Sequence, residues 1–402
     1  MQDLKNKKFY PGFKTGTVSV PCSKSIAHRA QICAALAGGQ STIRGIDPSE
    51  DINATIGAIE AIKNGDGHIN CKESGSTLRF LIPVAAALGL EATFAAEGSL
   101  QSRTVGLYEQ IFIDKGVKFE SNGGKPPASI TGRLLPGKFF VPGNISSQYI
   151  TGLMLALPLL GEDSEIALTS PLESEPYANL TIDVLKSFGV KIEKTAGGYF
   201  VPGNQKYQNA DFAVEGDYSQ AAFFMCAGAI NGDIKIKRLN PDSLQGDARI
   251  VGILNQLGAN VFFEGEDLRV LKAENLHGAQ IDVSQTPDLA PVLAVLAAYA
   301  SGETTIYNAS RLRLKESDRI SSVCELLRSI GAKAKETSDG LVICGTGGKK
   351  LLGGYINSFG DHRIAMAAAV ASVWTRDGVE VNDMACMSKS YPAFLQDWEK
   401  LD

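Results

Sequence analysis

No two cysteines in this chain stand in C-x-x-C spacing, and its seven cysteines, at positions 22, 33, 71, 226, 324, 344 and 386, are odd in number and scattered. That excludes a disulfide framework and a thiolate zinc site, and points to reduced thiols in a reducing compartment. Histidine is scarcer still: the four, at 28, 68, 277 and 362, show no metal-ligand spacing. No G-x-S-x-G elbow occurs, and the glycine cluster Gly345-Thr346-Gly347-Gly348-Lys349-Lys350 lacks the spacing and following hydroxyl of a P-loop, so it reads as a turn. Neither a metal nor an organic cofactor is expected. There is no basic excess either: 39 Lys and Arg against 44 Asp and Glu give a net charge of -5. Counterion release therefore cannot supply general nucleic-acid affinity, no nucleic-acid partner is expected, and any anion site must be a local concentration of cations. The most apolar stretches, Leu289 to Tyr299 and Leu78 to Leu90, are too short to cross a bilayer, and the second contains Arg79 and Pro83. The first ten residues have no apolar run behind their lysines, so no secretory leader and no membrane association are expected, and the expected location is the cytoplasm.

What the chain has in abundance is one repeated phrase. Six times a polar or glycine-containing start leads into a strongly apolar helix, a glycine turn, a strand and an amphipathic helix. The apolar helices open near Ser23, Ser74, Ser146, Asp217, Pro287 and Asp361; the amphipathic ones open near Glu50, Arg103, Pro176, Gly246, Lys315 and Tyr391. Leu289 to Ala300 is apolar almost all round, as a helix enclosed by other structure must be. In Ser317 to Ile330, by contrast, Ile320, Val323, Leu326, Leu327 and Ile330 recur at helical spacing with charges opposite, which suits a helix lying on a sheet with its back to water. The fold class is α/β, with strands outside and one helix of each pair inside.

A chain of 402 residues is too long for one ordinary core and divides naturally into two domains of three repeats each. No proline- or serine-rich linker marks a boundary. The fourth repeat begins at Gly216-Asp217, which places one boundary near 215, while the strand Lys14 to Val20 belongs to no complete repeat and is able to pair with either domain.

The helix starts are chemically unusual. Lys24 and Arg29 stand at the first apolar helix, Arg79 at the second, Arg103 at the following amphipathic start, Lys315 and Arg319 at the fifth, His362 and Arg363 at the sixth, and Lys389 before the last. Helix N-termini already carry partial positive charge, so cations there cost about 0.3 to 1 kcal/mol each unless an anion compensates. In register with the repeat, they predict a cleft that traps an anion carrying phosphate or carboxylate. The run Gly143-Asn144-Ile145-Ser146-Ser147-Gln148 reads either as a set of phosphate donors or as a plain serine cap. Two carboxylates lie among the cations, Asp288 and Glu316, each readable as a general acid or base or as a counterion.

Taken together, S-K-S-I-A-H-R (23–29), G-S-T-L-R (75–79), S-S-Q (146–148), G-D-Y-S-Q-A (216–221), P-D-L-A (287–290), L-K-E-S-D-R (314–319), D-H-R-I-A-M (361–366) and S-K-S-Y-P (388–392) resemble, in order and over the whole chain, the 5-enolpyruvylshikimate-3-phosphate synthase family of enolpyruvyl transferases. The resemblance implies a two-domain inside-out α/β barrel of six βαβαββ repeats, three per domain. Residues 21–215 would form one lobe, residues 1–20 with 216–402 the other, and the active site would lie in the cleft between them. It also implies a cytoplasmic monomer that joins the enolpyruvyl group of phosphoenolpyruvate to the 5-hydroxyl of shikimate 3-phosphate.

Carried over by position, Lys24, Gly75, Arg103, Gln148, Arg319, Arg363 and Lys389 would hold phosphoenolpyruvate. Ser25, Arg29, Ser146, Ser147, Ser174, Asp288, Arg311 and Lys315 would hold shikimate 3-phosphate. Asp288 would deprotonate the 5-hydroxyl and Glu316 would protonate the methylene carbon, with Lys24 a rival in either transfer. The chain departs from the family pattern at Cys22, His28, Glu73 and Arg311, where glycine, asparagine, asparagine and asparagine are usual, while Gly75 implies sensitivity to glyphosate. Two other readings remain: the UDP-N-acetylglucosamine enolpyruvyl transferase, whose reactive cysteine is missing from residues 90–103, and a non-catalytic anion-binding protein on the same repeat.

Overall fold

A helix that is apolar on every face has to be enclosed on every face, and that requirement is what organises this protein. The structure, a computed structural model, describes residues 6–401; residues 1–5 and 402 of the expected C-terminal lobe, and the start of the segment read for a leader, lie outside the described residues. The chain divides into two compact units, one formed by Cys22–Val214 and the other by the residues through Pro21 together with those from Glu215 onward.

In the unit from Glu215 onward, every residue of the helices Tyr218–Asn231, Ala290–Tyr299 and His362–Ser372 is buried, and the three pack on one another. Three sheets enclose them. Lys14–Ser19 runs parallel to Gly232–Lys237, which continues through Asp267–Leu271 to Asn260–Glu264. The strand that belonged to no repeat is thus the first strand of the fourth. A second sheet has the order Gln280–Asp282, Glu303–Tyr307, Leu341–Cys344, Lys333–Glu336. Among the described residues the third has three strands, Gly354–Ile356, Val379–Asn382 and Asn6–Phe9, the last drawn from the other end of the chain.

The amphipathic helices lie outside. Arg319–Ser329 buries Ile320, Val323, Leu326 and Leu327, the stripe its sequence shows, but it starts two residues later than the pattern suggests. The reason is its cap: the Asp318 side chain accepts from the backbone N–H of Ile320 and Ser321, which fixes Asp318 outside the helix. The glycine cluster at 345–350 is indeed a turn, because the backbone N–H groups of Thr346, Gly347 and Gly348 donate to the carbonyls of Ala298, Ala300 and Tyr299 at the end of the Ala290–Tyr299 helix. Those amides are spent on the helix and do not cradle a phosphate.

The Cys22–Val214 unit repeats the plan with the inner helices Lys24–Leu36, Gly75–Leu88 and Ser147–Ala156 and the outer helices Glu50–Asn64, Leu107–Ile111 and Glu175–Ser187. The amphipathic helix expected near Arg103 shrinks to the five residues from Leu107. Two four-stranded sheets are built as parallel pairs extended by a hairpin: His68–Asn70, Ala92–Ala95, Lys125–Gly132, Val117–Asn122, and Lys138–Val141, Ser164–Leu168, Gly198–Val201, Glu193–Thr195. The first repeat has no hairpin, so its sheet is only Thr42–Arg44 beside Asp211–Ala213. Among the described residues no helix is long and apolar enough to cross a membrane, and no group of three His, Cys, Asp or Glu side chains is placed to hold a metal ion.

Candidate functional site

In the Cys22–Val214 unit the cations gather where inner helices begin. Lys24 is the first residue of its helix, and its Nζ meets Asp51 Oδ2 at 2.5 Å; Asp51 comes from the first turn of the Glu50–Asn64 helix. Ser25 follows, and its carbonyl accepts from Arg29 Nη1 at 2.5 Å. Arg29 itself is buried between helices. Its Nε donates to Thr181 Oγ1 at 2.8 Å, its Nη2 donates to Thr151 Oγ1 and to the Tyr177 carbonyl, both at 3.1 Å, and the guanidinium lies 5.0 Å above the Phe80 ring. Burial pulls its pKa down to about 10, so it remains a cation at neutral pH.

Gly75 opens the second inner helix behind the Ser74 cap, and a Cβ on it would lie 3.0 Å from Nη1 of both Arg79 and Arg103. Arg79, which sequence reasoning placed at a helix start but gave no role, ties this region together. Its Nη1 donates to Gln148 Oε1 at 2.8 Å and its Nη2 to the Thr104 carbonyl at 2.7 Å. Gln148 in turn donates through Nε2 to Ser76 Oγ at 3.1 Å. Ser146 caps the third inner helix by accepting from Gln148 N, and Ser147 is the buried first residue of that helix. Ser174 is buried at the start of the Glu175–Ser187 helix with φ +56, a left-handed conformation uncommon for a residue other than glycine.

In the unit from Glu215 onward the cations are interleaved with carboxylates. Asp288 lies in the short turn Pro287–Leu289 that starts the middle inner helix. Its Oδ1 accepts from Arg319 Nη1 at 2.9 Å and Lys315 Nζ at 3.4 Å, and its Oδ2 accepts from Arg363 Nη2 at 3.1 Å. Burial alone pushes this carboxyl up, but the charges of Arg363, Lys315 and Arg319 outweigh it and hold Asp288 well below the usual carboxylate range. Arg319 Nη2 also donates to Glu316 Oε2 at 2.8 Å, and its Nε and Nη2 bond Asp361 at 2.8 and 3.2 Å.

Asp361, fully buried, stands where the sixth apolar helix opens and caps it by accepting from Arg363 N at 2.9 Å. It therefore holds Arg319 and the helix that carries Arg363 at once. Arg363 also reaches Ser219 Oγ at 3.0 Å, on the inner helix of the fourth repeat. Arg311 Nη2 donates to the Ser284 carbonyl at 2.7 Å, and Lys389 is buried at the end of the turn Met384–Lys389. Asp51 and Asp361 are the two residues that sequence reasoning missed most plainly, since their signal is a partner far along the chain.

Cations at the N-terminal ends of enclosed helices, with carboxylates held among them, define an α/β protein built to handle anions. Comparison with known proteins narrows that class. A family model described as EPSP synthase (3-phosphoshikimate 1-carboxyvinyltransferase) matches residues 13–67 and 60–398, and the chain belongs to that family. The 3-phosphoshikimate 1-carboxyvinyltransferase of Clostridium novyi (strain NT) is 43% identical over 99% of this chain and 98% of that protein. That of Clostridioides difficile (strain 630) is 42% identical over 98% and 97%. Among solved structures, an EPSP synthase from Acinetobacter baumannii matches with a TM-score of 0.82 at 26% identity, covering 99% of this chain and 98% of that one. The enolpyruvyl transferase NikO from Streptomyces tendae matches with a TM-score of 0.77 at 16% identity, which bears on the fold alone.

Proposed function

We infer that this chain transfers the enolpyruvyl group of phosphoenolpyruvate to the 5-hydroxyl of shikimate 3-phosphate and releases inorganic phosphate. The hydroxyl oxygen adds to C2 of phosphoenolpyruvate while C3 gains a proton, giving a tetrahedral intermediate. Loss of a C3 proton and cleavage of the C2–O bond to phosphate then leave the vinyl ether. Such chemistry needs a base, an acid and positive charge on the departing phosphate. Asp288 is proposed as the base and Glu316 as the group that delivers the C3 proton, with Lys24 able to share either transfer. Lys24, Arg103, Arg319, Arg363 and Lys389 are proposed to clamp phosphoenolpyruvate, with Gly75 and Gln148. Lys24 and Arg103 belong to the Cys22–Val214 unit, and Arg319, Arg363 and Lys389 to the unit from Glu215 onward. Ser25, Arg29, Ser146, Ser147, Ser174, Asp288, Arg311 and Lys315 are proposed to bind shikimate 3-phosphate.

The observation that carries the reading is Asp288 held by three cations. In that state it is ionised but a weak base. An incoming phosphate or carboxylate that draws Arg319, Arg363 and Lys315 toward itself raises the proton affinity of Asp288, so binding of the anions readies the base. The odd, scattered cysteines fit a reducing compartment, and we place the reaction in the cytoplasm of a bacterial cell, with the chain acting as a monomer. The test is phosphate release from phosphoenolpyruvate with and without shikimate 3-phosphate. Release is expected only with both, and Asp288→Ala should lower kcat by about 10² to 10⁴. An intact protein that releases no phosphate with both substrates overturns the reading.

A further inference from the structure

The helix that opens at Gly75 and the turn that ends at Arg103 are separate pieces of chain, and the structure fastens them together just upstream of both residues. The outer part of the fastening is exposed. Glu97 N donates to the Lys72 carbonyl at 2.8 Å, while Asn70 Nδ2 and Lys72 Nζ donate to Glu97 Oε1 at 2.7 and 2.8 Å. An exposed ion pair of this kind contributes little. The inner part is half-buried: Glu73 Oε2 accepts from both N and Oγ of Ser99, at 3.1 and 3.0 Å. Gly98 makes room for it, since its φ is +50 and a Cβ there would lie 2.2 Å from Glu73 Oε1.

Glu73 immediately precedes the cap Ser74 and Gly75, and the turn it grips, Gly98–Ser102, is only five residues long and delivers Arg103. Beyond the clasp, Arg103 Nη1 comes within 3.0 Å of the point a Gly75 Cβ would occupy. We propose that Glu73 is a positioning residue: through Ser99 it fixes Arg103 against the start of the Gly75 helix and so sets the affinity for phosphoenolpyruvate. The proposal rests on reading Gly75 and Arg103 as parts of the phosphoenolpyruvate clamp.

The experiment measures kcat and the KM of each substrate for the full chain carrying Glu73→Ala, Glu73→Gln, Ser99→Ala and the double change Glu73→Ala/Ser99→Ala, with calorimetric titration of the same proteins by phosphoenolpyruvate alone, without shikimate 3-phosphate. Glu73→Ala should raise the KM for phosphoenolpyruvate about tenfold, with kcat and the KM for shikimate 3-phosphate within about twofold of the parent. Ser99→Ala should move the same constant by less, because its backbone N–H still donates, and should add nothing to Glu73→Ala. Glu73→Gln keeps an acceptor of the same shape and should return the constant to within about threefold of the parent. An unchanged KM for phosphoenolpyruvate in Glu73→Ala, or an equal change in both KM values and kcat, overturns the proposal. If Glu73→Ala does not fold, an unchanged KM for phosphoenolpyruvate in Ser99→Ala overturns it. The titrations read the same displacement without turnover, so a parent protein that binds phosphoenolpyruvate but releases no phosphate would overturn the reaction and still decide the role of Glu73.

Discussion

In the Cys22–Val214 unit the buried arginines Arg29 and Arg79 lean on hydroxyls, an amide and carbonyls, whereas in the unit from Glu215 onward Arg319 and Arg363 lean on Asp288, Glu316 and Asp361. Neutral oxygens satisfy the N–H groups without cancelling the charge, so these two arginines remain attractors for anions, whereas Lys24 of the same unit is paired with Asp51. Carboxylates cancel the charge as well. An anion that enters the second unit has to compete with them, and the competition alters how strongly Asp288 holds a proton. One unit holds its buried arginines on neutral oxygens, and the other holds them on carboxylates whose protonation responds to an anion bound among them.

The strongest way to break this comparison is to remove Asp361. Arg319 and Asp361 are both essentially excluded from solvent, and the same carboxylate caps the helix that carries Arg363. Asp361→Ala leaves a buried cation short of one partner, which should cost about 3 to 5 kcal/mol of stability and lower turnover with it. Both tryptophans, Trp374 and Trp398, belong to the unit from Glu215 onward, so the urea midpoint followed by tryptophan fluorescence reports on the affected half. A midpoint equal to that of the parent would mean that Asp361 does not hold Arg319 in solution.

This pair also marks the limit of what the sequence reveals. Cations at helix starts are legible because they oppose the helix dipole, and Asp361 is legible as the place where an apolar helix opens. That Asp361 also pairs with Arg319, 42 positions away, is a fact of tertiary packing, as is the meeting of Arg79 with Gln148, 69 positions away. The fold divides in the same way. Apolar and striped helices declare their inner and outer places, and the four-stranded sheets follow from the repeat. Yet the last sheet takes Asn6–Phe9 from the opposite end of the chain, and the first repeat has no hairpin, so neither sheet could be completed from neighbouring residues. Helix starts shift wherever a side chain such as Asp318 takes the backbone amides for itself.

Acid should separate the two units by a smaller amount. Burial holds His28 down to about 3, against an ordinary value of 6.5, and the neutral ring hydrogen-bonds Thr55 Oγ1 at 2.7 Å. Below pH 6.5 the unfolded chain takes up a proton at this residue while the folded chain does not, so stability falls as the pH drops through the window from 6.5 toward 3. The slope is about 1.4 kcal/mol per pH unit, or about 2 kcal/mol between pH 6.5 and 5. Asp288 works in a lower window. Its depressed carboxyl contributes stability above the ordinary carboxylate range and loses it only as the pH falls through and below that range. At pH 5, therefore, amide exchange in the Lys24–Leu36 helix should quicken relative to pH 7, after correction for intrinsic rates, while exchange in the Ala290–Tyr299 helix, which carries no histidine, should not. His28→Asn should remove the difference; equal acceleration in both helices would show that the units do not titrate separately.

The smallest expected effect sharpens the comparison at the arginines themselves. A Cβ on Gly75 would approach Nη1 of Arg79 and Arg103 at 3.0 Å, and both contacts are with the far ends of flexible side chains rather than with backbone. Gly75→Ala should therefore leave the fold within about 0.5 kcal/mol of the parent, because a surface of side-chain ends can yield by a few tenths of an ångström. The yielding is not free for binding. Arg79 is fixed at Gln148 and at the Thr104 carbonyl, next to Arg103, so a shift of either guanidinium misplaces charge at the proposed phosphoenolpyruvate clamp. The KM for phosphoenolpyruvate should rise about threefold, and inhibition by glyphosate should weaken at least as much, with the KM for shikimate 3-phosphate unchanged. If both constants stay at the parent values, the guanidiniums beside Gly75 do not bear on phosphoenolpyruvate.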